Sequence, residues 1–424
     1  MAAVHRFLSR LHLIRSSGQK SSTLPSSLSS TFPCFSSPSS SSSVFSAAAT
    51  SVKDRARRGT VIREMPECVN RDAEENVAGA TSREPVTVKG HDFAEGIDHQ
   101  AILSAMQRTG FQATNFATAV EEINKMLNKR AEPLTNEEPE RRAACGREIS
   151  NCTIFLGYTS SIITSGLREV ICFLAKHNLV DCIVTTAGGI EEDFIKCFGD
   201  YYLASFEENG EELFNRRLNR AGNLLIPESL YYHFTDFLQP VLEDMMNEQE
   251  NHGFNWTPSK MIARMGKEIN EESSVYYWAY KNNIPVFCPA LTDGGLGDEL
   301  LYFKQRNPGR HLRVDISEDI VRIIRHAQDS YHTGIVTAGG GVAKHHICNS
   351  NAHREPAGAD YAVYLNTGHE FDGSDSGART EEAVSWGKIK PTANAVKIHG
   401  EASLLLPFLV AETFAKLVYP PDSN

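Results

Sequence analysis

Residues 366–388 carry the densest chemistry in this chain of 424 residues. Asp372, Asp375, Glu381 and Glu382 fall inside that stretch among Gly373, Gly377, Trp386 and Lys388. Carboxylates crowded on a glycine-loosened backbone repel one another, which suits a cationic or hydroxylated partner among them; the same composition also suits a solvated acidic loop. The end of the stretch, Ser385-Trp386-Gly387-Lys388, sets a lysine beside an indole and a residue without a side chain. In an apolar pocket, desolvation disfavours the ammonium and frees a neutral amine to attack a carbonyl or imine carbon. A solvated or ion-paired lysine is the plainer alternative.

Three other clusters pair glycine with hydroxyls: Thr159-Ser160-Ser161 with Thr164-Ser165-Gly166, Thr186-Ala187-Gly188-Gly189, and Ala338-Gly339-Gly340-Gly341. Each follows an apolar run. Small residues there expose backbone N–H groups at helix N-termini, a natural seat for a pyrophosphate, although each cluster alone reads equally as a tight turn. None matches the standard dinucleotide fingerprint. Asp293-Gly-Gly-Leu-Gly-Asp298 adds two carboxylates on a glycine loop, one suited to ribose hydroxyls and the other to a cation. His345, His346, Cys348 and His353 match no common zinc spacing, so no metal site is assigned. His345 reads either as a base held near a nucleotide or as a capping or packing residue.

The elements that must position these groups alternate. Strand-like runs occupy 152–158, 180–186, 284–288, 334–337, 360–365 and 395–399, and helical periodicity covers 102–127 with a break near Gly110, 165–177, 191–198, 231–250, 259–267, 317–329 and 403–416. The alternation predicts an α/β fold with a doubly wound, mostly parallel sheet and helices on both faces, which places ligands beyond the carboxyl ends of the strands.

A net charge of −11 and the lack of a dense Lys/Arg tract argue against nucleic acid as a partner. Nine cysteines, an odd number without a C-x-x-C pair, read as reduced thiols rather than a disulfide framework. No apolar run reaches the roughly 18 residues of a membrane span. Residues 1–60 are basic and serine-rich, with no acidic residue before Asp54, and read either as an organelle-targeting presequence or as an extension without structure. Residues 61–90 read as a mobile arm, 91–424 as the folded domain, and 132–148 within it as a charged linker.

With these residues laid out, the chain resembles the deoxyhypusine synthase family. The resemblance runs from about Gly90 to Val418 and is carried by Glu370-Phe-Asp-Gly-Ser-Asp-Ser-Gly-Ala-Arg379, Glu382-Ala-Val-Ser-Trp-Gly-Lys388, Gly339-Gly-Gly-Val-Ala-Lys-His-His346 and Leu291-Thr-Asp293. It implies a Rossmann-like, NAD-binding fold and NAD-dependent transfer of the aminobutyl group of spermidine to one lysine of the translation initiation factor 5A precursor. It also implies a homotetramer in the cytoplasm with active sites at dimer interfaces, whereas the basic start suggests import into an organelle. By position, Lys388 resembles the family's nucleophile and His345 its proton-transferring histidine. Glu191, Glu192, Asp298, Asp375 and Glu382 match the acids around the polyamine, with Asn349, Tyr364, Gly373 and Ser374 in the same pocket and Trp386 walling its channel. The NAD contacts correspond to Ser160, Ser161, Thr164, Thr186, Ala187, Gly188, Glu192, Asp293, Gly340, Thr367, Gly368, Glu401 and Ala402.

Ser161 stands where the family usually has asparagine, Thr164 where it has serine, Gly368 where it has alanine and Glu401 where it has aspartate. The segment 352–357 is longer than the usual link. Two rival readings accompany the resemblance. One is homospermidine synthase, which arose from the same family and passes the aminobutyl group to putrescine. The other is a catalytically silent subunit of a mixed tetramer, which loss of Lys388 would have favoured.

Overall fold

The computed structural model describes residues 86–134, 147, 148 and 150–420. The basic start, the expected arm up to residue 85 and most of the charged linker lie outside the described residues.

Nine strands are present among the described residues: β1 (Cys152–Tyr158), β2 (Cys182–Val184), β3 (Tyr202–Leu203), β4 (Leu218–Ala221), β5 (Leu224–Pro227), β6 (Val286–Phe287), β7 (His332–Ala338), β8 (Tyr361–Asn366) and β9 (Val396–His399). Six of them form one sheet in the order β6-β2-β1-β7-β8-β9, and every pairing in it is parallel. Counted along the chain this is the order 3-2-1-4-5-6 of a doubly wound nucleotide-binding sheet, with its switch point between β1 and β7. The sequence-based fold class is therefore met.

The strands are apolar because both faces of the sheet are covered. All seven residues of β1 are buried, and alternate side chains enter different cores. Ile154, Leu156 and Tyr158 join the cluster that contains Phe116, Ile123 and Met126 of helix Phe111–Ala131. Phe155 points the other way, with Tyr364 of β8 and Ala343 and Ile347 of helix Gly341–Ala352. Each such fully buried large side chain contributes about 1.5–3 kcal/mol relative to exposure.

Two expectations need correction. Helix Ala187–Ile195 starts at residue 187 rather than 191, so Gly188 and Gly189 are helical rather than part of a turn. A Cβ on Gly189 would lie 2.1 Å from Thr185 Oγ1, so the glycine serves close packing. The expected helix over 403–416 is two pieces, Ala402–Ala411 and Phe414–Val418, divided where the Thr413 hydroxyl donates to the Leu409 carbonyl at 2.6 Å. The antiparallel sheet β3-β5-β4 was not expected, because its strands are two to four residues long and too short to show a period.

Candidate active site

All six strands of the main sheet run the same way, so the segments that follow them share one edge. Ser160, Ser161 and Thr164 follow β1, Thr186 to Gly188 follow β2, and Asp293 follows β6. Gly340 follows β7, Thr367 and Gly368 follow β8, and Glu401 and Ala402 follow β9. At the switch point Gly339 adopts φ +103°, and a Cβ there would lie 2.7 Å from Thr159 Oγ1, so the two loops meet backbone to side chain. The same edge holds Thr185 Oγ1, Thr186 Oγ1, Thr337 Oγ1 and Asn366 Nδ2, buried polar atoms with no hydrogen-bond partner among the described residues. Such groups are costly unless a ligand or water satisfies them, and a nucleotide's hydroxyls and phosphates are suitable partners. Two of the expected contacts are already engaged within the chain. Thr164 Oγ1 donates to the Ser160 carbonyl at 3.1 Å, and Glu401 caps helix Ala402–Ala411 through the Leu404 amide at 3.2 Å. Burial pushes the Glu401 carboxyl up, but Ser403 and the helix amides more than offset this and hold it below its ordinary range.

The acids divide into two groups. Glu191 and Glu192 are both buried on the second turn of helix Ala187–Ile195. The Glu191 carboxylate accepts from the Leu296 amide at 2.7 Å, where helix Gly295–Arg306 begins, and Asp298 lies in that helix's first turn. Burial raises Glu191, partly countered by the Leu296 and Gly295 amides. Glu192 is pushed up to about 7, first by burial, against the opposing hydrogen bond from the Tyr201 hydroxyl and with the neighbouring Glu191 charge adding to the rise. Two adjacent carboxyls that resist ionisation are a place where a bound cation lowers the energy.

Lys388 heads the second group. Helix Thr380–Ser385 ends with Gly387 at φ +68°, the Gly387 amide donating to Val384 O and the Lys388 amide to Ala383 O, both at 2.9 Å. This is a Schellman cap, and it explains the glycine before the lysine. On its other side the Lys388 carbonyl accepts from the Ala359 amide at 3.0 Å, next to the Ala359–Ile389 bridge. The lysine backbone is thus fixed from both directions. Its Nζ lies 3.4 Å from His345 Nε2 and 5.6 Å from the Trp386 ring centroid. His345 Nδ1 in turn meets Asn349 Nδ2 at 3.2 Å, one turn further along helix Gly341–Ala352. Tyr364 is buried beneath, its hydroxyl 3.0 Å from Cys348 Sγ and its ring 4.9 Å from Lys344 Nζ.

Lys344 is a residue that the sequence reading passed over. Only 3% exposed, it donates to the carbonyls of Asp375 and Ala378 and lies 3.7 Å from Asp375 Oδ2. It thereby presents the Asp375 carboxylate, while Gly373 and Ser374 stay exposed at the tip of the loop and Glu382 is exposed on helix Thr380–Ser385. Tyr201 and Tyr231 beside Glu192 were also missed, since each opens a Tyr-Tyr pair in a mixed apolar run whose pattern does not mark which hydroxyl meets a carboxylate.

Two features of this constellation concern one chain alone. Trp386 is 69% exposed and Lys388 only half-buried, so the indole at the helix end encloses no channel within one chain. Nor does one chain unite the two acid groups: β2 and β8 are separated by β1 and β7, about 14 Å at the usual strand spacing. No hydrogen bond or ion pair joins the groups among the described residues.

The deoxyhypusine synthase family model matches residues 101–413. A deoxyhypusine synthase from Caenorhabditis elegans is 55% identical over 337 residues, covering 78% of this chain and 90% of the relative. Homospermidine synthase 2 from Senecio vernalis is 51% identical over 334 residues, covering 77% and 89%. The crystal structure of a deoxyhypusine synthase homologue from Entamoeba histolytica superposes with a TM-score of 0.56 at 34% identity, covering 77% of this chain and 97% of that one. A family model matched over most of the chain, relatives above half identity and a shared fold agree with the lysine–histidine pair and the glycine-lined sheet edge: the chain belongs to the deoxyhypusine synthase family of aminobutyl-transferring enzymes.

Proposed function

We propose that this chain transfers the 4-aminobutyl group of spermidine to a lysine of the translation initiation factor 5A precursor, with NAD as cofactor and Lys388 as covalent carrier. The observation that carries the reading is the backbone-locked Lys388 whose Nζ faces His345 Nε2 at 3.4 Å. NAD, when bound, would supply a hydride acceptor for the carbon next to the secondary amine and a hydride donor for the closing reduction. The residues suited to hold it are those along the sheet edge, and the unpaired hydroxyls of Thr185, Thr186 and Thr337 support a polar ligand there.

Loss of hydride and a proton turns the secondary amine of spermidine into an imine. The neutral Lys388 amine adds to that carbon and 1,3-diaminopropane leaves, so the aminobutyl group remains on Lys388 as a Schiff base. His345, in contact with Nζ, is placed to carry the proton that must leave the lysine and reach the departing amine. The acceptor lysine then displaces Lys388, and hydride return gives the secondary amine of deoxyhypusine. Glu191, Glu192, Asp298, Asp375 and Glu382 supply negative charge for the terminal ammonium groups, and Trp386 a face for a cation.

The separation of the two acid groups across the sheet supports an assembly in which the Lys388 group of one copy faces the Glu192 group of another, as in a homotetramer with shared sites. The exposed Trp386 and the 88% exposed Phe371 suit the same arrangement. Transfer to putrescine is the second reading, favoured by the 51% identity to a homospermidine synthase. The test is transfer of label from spermidine with the precursor and putrescine offered separately. Label on the precursor supports the first reading, label in homospermidine alone the second, and label in neither the silent-subunit reading.

A further inference from the structure

The loop at 367–379 carries two kinds of expected contact on one backbone: Thr367 and Gly368 on the cofactor side, Gly373, Ser374 and Asp375 on the substrate side. Something must hold its two limbs together. Lys397 on β9 reaches the neck of the loop and donates to the Gly368 carbonyl at 2.7 Å and to the Gly377 carbonyl at 2.5 Å. The neck leaves no room for a side chain, since a Cβ on Gly377 would lie 1.5 Å from the His369 carbonyl oxygen.

Lys397 is itself anchored. It pairs in register with Tyr364 of β8, and on the free edge of the sheet Asn115 Nδ2 donates to its carbonyl at 3.2 Å while Gln112 Oε1 accepts from the His399 amide at 2.7 Å. The ammonium is half-buried, and desolvation, with the Lys344 charge second, lowers its pKa. The two carbonyls are what make the cation tolerable there, and charge-assisted bonds of this kind are the strong ones. Lys344 acts on the same limb on either side of Gly377, at the Asp375 and Ala378 carbonyls.

We propose that Lys397 is a positioning residue: by bridging the carbonyls of Gly368 and Gly377 it closes the neck of the loop and sets both the cofactor-side and the substrate-side contacts through one backbone. The assignment rests on the reading of the site given above. Opening the neck leaves every contact residue in the chain but frees the two halves to move separately. Affinity for NAD and for spermidine then falls together, while Lys388, outside the loop, keeps its place.

The experiment compares full-length wild type, Lys397→Met and Lys397→Arg by hydrogen exchange over residues 368–379 and by KM for NAD and for spermidine. In Lys397→Met, exchange across the loop accelerates about tenfold or more and both KM values rise about tenfold while kcat changes by less than about threefold; Lys397→Arg, which keeps donors, recovers most of each. Unchanged exchange in Lys397→Met overturns the clamp, as does a rise in KM without a change in exchange, because the lysine would then act by charge alone. If Lys397→Met does not fold, Lys397→Gln gives the same comparison at smaller size. A wild-type chain that transfers no aminobutyl label overturns the reading of the reaction, and the exchange comparison still decides the clamp.

Discussion

Nε2 of His345 stands 3.4 Å from Nζ of Lys388, while the opposite ring nitrogen lies 3.2 Å from Asn349 Nδ2. The Asn349 contact at Nδ1 holds the ring so that Nε2 faces the lysine. His345→Ala is expected to lower kcat by about 10²–10⁴-fold, the usual worth of a positioned acid–base group, measured as label transfer at saturating spermidine. Asn349→Ala acts on the same ring indirectly and is expected to cost less.

Gly387 occupies the C′ position of a Schellman cap at φ +68°, directly before Lys388. Gly387→Ala is expected to destabilise the chain by about 1–2 kcal/mol, the cost of a Cβ in the left-handed region. It should also lower kcat by rotating Lys388 away from His345. Thermal melting and label transfer on the same preparation check the two effects.

Glu192 is raised to about 7, so a carboxyl that must bind a cation is partly protonated near neutrality. Only the ionised form attracts an ammonium, and the ionised fraction grows as pH rises through about 7. Spermidine KM is therefore expected to fall across that interval and to lose this dependence in Glu192→Gln. The Tyr201 hydrogen bond lowers the Glu192 pKa, so Tyr201→Phe should move the inflection to higher pH. An inflection that moves the opposite way would rule out Tyr201 as the group that keeps Glu192 ionisable.

Arg354 lies in the segment at 352–357 and is 7% exposed. Its guanidinium donates to Asp360 at 2.9 Å and to the carbonyls of Gly358 and Tyr331 at 2.7 and 2.9 Å. Burial pushes the Asp360 carboxyl up, but its bonds to Lys390 and the Thr333 amide, with Arg354 nearby, hold it below the ordinary range. Arg354→Ala strands part of this network and is expected to cost about 3–5 kcal/mol of stability, read from denaturant unfolding. The buried Arg354–Asp360 pair follows helix Gly341–Ala352, on which Asn349 keeps its contact with His345.

Much of the fold was legible because its signals are local. Buried parallel strands read as continuous apolar runs, as 152–158 did, and the three glycine clusters each follow one of those strands. Gly188 and Gly189 misled for a physical reason: they are small to let helix Ala187–Ile195 approach Ser160 and Thr185 respectively, and a sequence does not distinguish that use from a turn. Lys388 and His345 could be named from their motifs, but their 3.4 Å contact joins residues far apart in the chain, as does the Ala359–Ile389 bridge beside the local Gly387 cap. Lys344, Lys397, Tyr201 and Tyr231 escaped notice because their work is done on carbonyls and carboxylates brought to them only by folding.

The central claim is that Lys388 carries the aminobutyl group. Labelled spermidine and NAD should be given to the purified wild-type chain and to Lys388→Arg, with the factor 5A precursor or putrescine as acceptor and borohydride added in a parallel sample without acceptor. The account expects label on the precursor, a reducible adduct mapped to Lys388, and neither in the variant. Transfer by Lys388→Arg at the wild-type level, or an adduct on another residue, would contradict it.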